Sequence, residues 1–431
     1  MQKALLRSFA LALLLSFTAC GQNASSAASP QAPFTDYRFE KPGTIRKITV
    51  KDLPAPYATR SVTAGPDIVD RPEKAWPQAP AGFKVELYTT DVKEPRKILT
   101  APNGDFFVAE SHTGLIKIFR GITPEGKPKQ ASVFAKGLQQ PYGIAFYPPG
   151  SNPEFVYIGV PNAVLRFRYH NGDLQPTCKA EHIATLPDSE GHDTRDLVFS
   201  ADGKRLFVGV GSASNIDDPD THPGEKNRAD ILVMNPDGSG VQVYAYGIRN
   251  PGGGLAIQPK TGKLWCSVNE RDELGNNLVP DYITHVQEGG FYGWPYYYMG
   301  SNPDPRLKGK HPELKDKTIV PDVLLQPHNA SLELTFYEGH QFPAEYTGDI
   351  FAAQHGSWNR SPRAGYEVIR VPLHQTDKAS GEYEDFLTGF VLPNGDVWGR
   401  PVGVAVAPDG SLLVTDDASS SIWRVSYTGT K

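Results

Sequence analysis

Residues 408–417 read PDGSLLVTDD, and a second run in which apolar and polar residues alternate follows at 422–426. The pattern is a tight turn, a short apolar strand, a polar exit and a second strand. It recurs at 102–110 (PNGDFFVAE) with a partner run at 116–120, and at 201–210 (ADGKRLFVGV) with a partner run at 231–234. Weaker copies lie at 153–169, 259–286 and 348–372. Six such units, roughly 50 to 85 residues apart, are the repeat of a propeller built from four-stranded antiparallel blades. One meander cannot cover both of its faces, so neighbouring blades must pack. Phe83–Thr89 (FKVELYT) alternates ahead of the first unit and is expected to complete the last blade, leaving few free edges. The expected fold is therefore all-β, a six-bladed propeller filling 81–431 as one domain.

Composition agrees with that reading. The chain has 431 residues with 42 Gly and 38 Pro, a turn-rich balance, and 39% hydrophobic residues, enough for a core. A formal net charge of −5 without a basic block argues against a nucleic-acid partner. The cysteines Cys20, Cys178 and Cys266 form neither a disulfide framework nor a zinc spacing. Cys178 and Cys266 are open to two readings, a pair across the fold or two inert thiols.

The N-terminus has the features of an export signal. Lys3 and Arg7 precede an apolar run at 8–17, too short to span a bilayer, and then Thr18, Ala19 and Cys20. A cysteine directly after a small residue resembles a bacterial lipoprotein signal: residues 1–19 would be removed and the Cys20 thiol lipidated. Ordinary cleavage nearby is the alternative. Residues 20–80 are expected to form a tether and an N-terminal extension. The protein would be exported, face the periplasm and touch the membrane only through its lipid.

In a propeller, strand exits from every blade converge on one mouth. Here these exits offer Glu110-Ser111, Asn162, Gly211-Ser212, Asn269-Glu270, His355-Gly356 and Asp416-Asp417. The entering loops add Gln139-Gln140, His192-Asp193, Arg249-Asn250, His328-Asn329 and Arg400. The richest stretch is 244–295, YAYGIRNPGGGLAIQPKTGKLWCSVNERDELGNNLVPDYITHVQEGGFYGWP. Its cation beside a carboxamide, followed by an acidic, carbonyl-rich strand exit at 269–272, suits an anionic ligand bridged to a hard metal ion. His192, flanked by Glu190 and Asp193, reads equally as a base oriented by a carboxylate or as a surface histidine. Residues 281–346, longer than a blade needs, are expected to form a loop cover that sets substrate choice.

Gly191-His192 ahead of LVFSADGK, the segment YGIRNP at 246–251, EGGFYGWP at 288–295 and FAAQHGSWNR at 351–360 resemble the soluble quinoprotein glucose/sorbosone dehydrogenases. The sorbosone branch is the nearest likeness. That resemblance implies a six-bladed propeller holding pyrroloquinoline quinone (PQQ) and calcium, and oxidation of an aldose or related polyhydroxy aldehyde. It implies His192 as general base, with Arg249 stabilising charge that develops on the quinone. Arg249, Asn250 and Arg400 would bind the cofactor, with His355 or Arg360 near the place of the family's lysine. Calcium would lie at the main-chain carbonyls of Glu270 and Arg271, with the side chain of Glu270 or Asp272 able to add a carboxylate. The chain departs from the family pattern in several places, among them the missing lysine, a glutamine at 139–140 one position off and an extra glycine among 252–254. Glu270-Arg271 replaces a Gly-Pro pair, Trp398 replaces a second cofactor arginine, and Gly191 replaces an aspartate. With no CxxCH haem motif, electrons would pass to a separate acceptor. Two other readings are a metal-dependent sugar lactonase, with Glu110, Glu270 and Asp416 as ligands, and a binding propeller that has lost its cofactor.

Overall fold

The computed structural model describes residues 33–187, 190–374, 376 and 378–429. Cys20 and the leader lie outside the described residues. Six sheets of at least four antiparallel strands span 98–135, 144–185, 197–246, 255–327, 331–387 and 401–427, referred to as blades 1 to 6. The fourth strand of blade 6 is Phe83–Thr89, paired with Ser421–Tyr427. The ring is thus closed by the segment expected to close it.

Sequence dictates the blades through their second strands. In all five residues of Phe106–Glu110, Leu206–Val210, Leu264–Val268, Ile350–Gln354 and Leu412–Asp416 the side chain is buried. These strands have a neighbouring blade on both faces, so they read as apolar runs rather than alternations. Successive residues serve different cores. Phe106 and Val108 pack with Leu413 and Ile422 of blade 6, while Phe107 and Ala109 pack with Val156 and Ile158 of blade 2. Equivalent cores fill the other four gaps around the ring. Both thiols are free: Cys178 is exposed, and Cys266 is buried in the core between blades 3 and 4.

The first strands line the axis, and a buried ion cluster plugs it. Lys97 Nζ lies 2.9 Å from Asp196 Oδ2 and 2.9 Å from Glu333 Oε1, joining blades 1, 3 and 5. The carboxylates accept further backbone N–H groups: Asp196 from Leu255 (2.8 Å), and Glu333 from Ile98 and Val404 (both 3.2 Å). Gly143 N donates to Arg195 O, tying in blade 2. Burial alone would lower the Lys97 pKa. The two carboxylates outweigh it and hold the ammonium charged, well above its usual range.

Two further segments frame the mouth. Residues 33–80 pack against the ring: Ile45–Lys47 adds a fifth strand to blade 5, with Arg46 in a two-pronged bond to Asp385 (both 2.7 Å). Residues 57–64 cross loops of blades 4 and 5. The expected cover at 281–346 is shorter than anticipated, because its ends are blade strands, Pro280–His285, Val323–Pro327 and Ser331–Phe336. The insertion is 286–322. It runs along the outer edge of blade 3, where Gly289 N donates to Tyr244 O and Tyr292 N to Tyr246 O.

Replacing Lys97 with Met would strand two buried carboxylates. The expected loss is about 3–5 kcal/mol of unfolding free energy, read from denaturant melts. A change below 1 kcal/mol would show that the plug contributes little to closure.

Candidate functional site

The loop 190–196 enters blade 3 over the axis, and its conformation needs glycine at 191. Gly191 has φ +68°, and a Cβ there would meet Ala213 O at 2.1 Å. No side chain fits, which accounts for the absence of the family's aspartate. The next residue, His192, has its carbonyl held by two arginines, Arg195 Nη1 at 2.7 Å and Arg228 Nη2 at 2.9 Å. Its Nδ1 lies 2.8 Å from Ser212 O and 3.1 Å from Ser212 Oγ. The Ser212 hydroxyl donates to Ser214 O at 2.6 Å, so both oxygens facing Nδ1 are acceptors. The proton therefore sits on Nδ1, and Nε2 keeps its lone pair. Burial, then the nearby Arg249 charge, lowers the imidazole pKa to about 3, against a weaker opposing pull from the Ser212 hydrogen bond.

His192 lines a cavity of about 420 Å³ together with Asn215, Arg249, Asn250, Asn269, Glu270, Asp272, Asp281, His328, Trp358 and Asn359. The Arg249 guanidinium is nearly enclosed. It donates to Glu270 O (2.7 Å), Asn215 O (3.2 Å), Asn215 Oδ1 (3.1 Å) and Asp272 Oδ2 (3.3 Å). Asp272 also accepts from Asn359 Nδ2. Burial would raise its pKa, but Arg249, His328 and Asn359 prevail and hold it at about 2. Glu270 and Asp281 behave in the opposite way. Burial pushes them up to about 8 and about 6, with too little positive charge beside them to offset it.

A second cavity of about 240 Å³ adjoins the first across the 191–194 loop. It is lined by Arg96, Ser111, His112, Gln140, Asp193 and Asp417 among others. Asp417 takes Arg96 Nη1 at 2.6 Å and His355 Nε2 at 2.9 Å, and Arg400 Nε donates to His355 O at 3.2 Å.

The structure thus brings His192, Arg249, Asn250, Glu270 and Asp272 to one cavity, and gathers His355 and Arg400 beside the second. The Arg271 side chain turns outward to Asp304 (3.3 Å), so only its main chain remains available to the first cavity. Arg360 does not line either cavity. Its Nη2 donates to Asn277 Oδ1 at 3.0 Å, and Glu40 of the extension is its strongest charge partner. Trp398 is a core residue packed at a tilt against Phe390 and edge-on against Trp423. Glu110 bonds to Thr113 of its own blade and to Lys93 N in the connection that enters it, and Asp416 bonds to Ser419 and Trp423 of its own blade. They share no cavity with Glu270. No residue of 286–322 lines either cavity, so that insertion braces the wall from outside. Sequence reasoning missed Asn215 and Asp281. Neither carries a local signal, since one lies in an ordinary polar loop and the other opens a strand.

The sequence model of the family described as Glucose / Sorbosone dehydrogenase matches residues 92–424. The chain belongs to that family. An uncharacterized protein of Borreliella burgdorferi is 30% identical over 81% of this chain and 90% of its own length. A pyrroloquinoline quinone-dependent pyranose dehydrogenase of Coprinopsis cinerea is 25% identical over 80% of this chain, which spans 54% of that protein. The PQQ domain of the Coprinopsis cinerea pyranose dehydrogenase superposes with a TM-score of 0.68 at 21% identity, covering 84% of this chain and all of that domain (100%). The PQQ-bound aldose sugar dehydrogenase of Streptomyces coelicolor gives 0.57 at 20% identity, covering 81% and 99%. At these identities the superpositions show a shared propeller.

The His192 geometry sets a pH behaviour. A folded pKa of about 3 against 6.5 for a free imidazole means the unfolded chain takes a proton that the folded one refuses. This group's contribution to stability therefore falls as pH drops from about 6.5 towards 3. Its ring resonances in an NMR titration are expected to stay flat from pH 8 to 5, and a midpoint near 6.5 would contradict the buried, Nδ1-protonated state.

Proposed function

We propose that this protein is a PQQ- and calcium-dependent dehydrogenase that oxidises an aldose or related polyhydroxy aldehyde outside the cytoplasm. The observation that carries the reading is His192. It is a neutral imidazole fixed by Nδ1, with a bare Nε2, on the wall of a cavity that also holds an arginine and buried carboxylates. The donor set fits both implied groups. The Glu270 and Asp272 carboxyls and the Glu270 carbonyl are hard oxygen donors on one wall of the cavity and suit a hard divalent ion, while Asp281 holds their loop by accepting from Glu270 N (2.8 Å) and Ala330 N (2.7 Å). Among the described residues no three Asp, Glu, His or Cys side chains cluster as a complete metal set. Calcium would therefore draw on main-chain oxygens at Glu270 and Arg271 and on Asp272, with the cofactor completing its shell. Arg249, Asn250 and Arg400 would hold the anionic cofactor, Arg400 from beside the second cavity, with His355 as its neighbour.

When bound, PQQ supplies a two-electron acceptor for hydride. The protein's own part is acid–base and orienting. His192 Nε2 takes the substrate hydroxyl proton, with Ser212 O stabilising the imidazolium that forms. Arg249 sets positive charge where negative charge develops, and Asn250 and Asn269 orient polar groups. The leader and Cys20 would place the site on the periplasmic side on a lipid anchor, with electrons leaving to a separate acceptor.

Purified protein titrated with PQQ and calcium is expected to show a cofactor absorbance shift and to reduce a dye with a sugar. His192→Ala should keep the shift and lose about 10²–10⁴-fold in kcat. A silent sugar panel with no absorbance shift would remove the reading. Lactone hydrolysis without quinone would favour a hydrolase, and activity indifferent to His192→Ala a different catalytic group.

A further inference from the structure

Trp358 stands apart from the protein's other exposed tryptophan. Trp76 is 40% exposed but packs edge-on against Trp423 at 5.0 Å and donates to Val85 O. Trp358 is 47% exposed and lines the main cavity. Among the described residues its ring has no aromatic partner. An indole face open to water costs free energy in proportion to its area, roughly 25 cal/mol per Å². Here it borders a wall of carboxamides, Asn215, Asn250, Asn269 and Asn359. Asn359 is 6% exposed and its Oδ1 has no partner. A carboxamide both donates and accepts, as a hydroxyl does. Asn215 and the Asn359 Nδ2 are spent on Arg249, Asp272 and His328, but Asn250 and Asn269 use only Oδ1 and Nδ2 internally, which leaves the Asn250 Nδ2 donor and the Asn269 Oδ1 acceptor for a ligand. An apolar face beside such a donor and acceptor matches a ligand with a flat C–H face and a rim of hydroxyls.

The tryptophan is also held from an unexpected direction. Trp358 O accepts from Ala64 N at 2.6 Å, and Arg363 Nη1 donates to Ala64 O. A few residues earlier, Ser61 Oγ accepts from Gly275 N at 3.1 Å and Thr59 Oγ1 from Asn276 N at 2.7 Å. Gly275 O in turn receives His328 Nε2 at 3.0 Å, and His328 lines the cavity. Residues 57–64 therefore strap the blade 4 loop that follows Glu270–Asp272 to the blade 5 loop that bears Trp358 and Asn359. The strap lies outside the family-matched stretch of 92–424.

We propose that Trp358 is the platform on which the ring of a cyclic sugar lies, and that residues 57–64 are the positioning element that aims it. The inference rests on the sugar-dehydrogenase reading and narrows its substrate to pyranose rings over open-chain hydroxyaldehydes. The ring's C–H face covers the indole while its hydroxyls meet Asn250 Nδ2 and Asn269 Oδ1.

The test is equilibrium binding of methyl β-D-glucopyranoside, a locked ring that cannot open, to the full chain by calorimetry and tryptophan fluorescence. Wild type and Trp76→Phe should bind it and change their emission, whereas glyceraldehyde should not elicit the change. Trp358→Phe should lose the emission change and bind within a few-fold of wild type. Trp358→Ala should bind about tenfold more weakly. Thr59→Val with Ser61→Ala should weaken ring binding several-fold with an unchanged melting profile. Undiminished binding by Trp358→Ala, or no binding by wild type, overturns the platform. Undiminished binding by the strap variant overturns the positioning role. The PQQ absorbance shift and dye reduction are read separately, so ring binding through Trp358 without quinone chemistry would sink the dehydrogenase and leave the sugar site.

Discussion

One buried ammonium shared by two carboxylates governs this architecture. Lys97 bridges Asp196 and Glu333, and those carboxylates collect backbone N–H groups from blades 4, 6 and 1. A propeller has an open axis by construction, and inward-facing backbone there needs partners. An apolar plug would fill the space but satisfy nothing. The triad fills it and fixes the angular positions of three alternate blades at once. Everything at the mouth inherits that fixity, because Asp196 ends the loop that carries His192.

The site depends on close backbone approach as much as on its side chains. The sequence Gly252-Gly253-Gly254 follows Arg249-Asn250 because blades 3, 4 and 5 nearly touch there. A Cβ on Gly252 would meet Thr194 O at 2.3 Å, and one on Gly254 would meet Leu332 O at 2.3 Å. Only after that approach do Arg249 and the Glu270 carbonyl come within 2.7 Å. The same compression raises Glu270 and Asp281, as desolvated carboxyls must rise without a compensating cation.

The repeat was legible because each second strand is sandwiched, and that leaves an apolar run visible in any single copy. The closing strand was legible for a related reason, its period-two alternation. The convergence of His192, Arg249, Asn250, Glu270 and Asp272 followed from strand exits and from the family likeness. Arg360 could not be placed from sequence, because its partner Glu40 comes from an extension more than 300 residues earlier. The axial triad was invisible for the same reason. Lys97 and Asp196 look like solvated loop residues, and Glu333 like the solvent side of a strand, until three blades are brought around one point. Residues 281–346 misled because one outer strand of blade 4 resumes only after a long excursion, and nothing local marks Val323–Pro327 as its return.

The ring's seam has a consequence for biosynthesis. Phe83–Thr89 bonds to Ser421–Tyr427, almost the whole propeller away in sequence. A ribosome delivers the first of these strands long before the second exists. Until then the early strand is an unsatisfied ladder, with N–H and C=O groups free to recruit any other extended chain. Such a long-range union is slow to form. The growing polypeptide therefore has an interval of vulnerability as long as its own translation, in which a chaperone that shields one short N-terminal strand would matter more than any help given to the blades between.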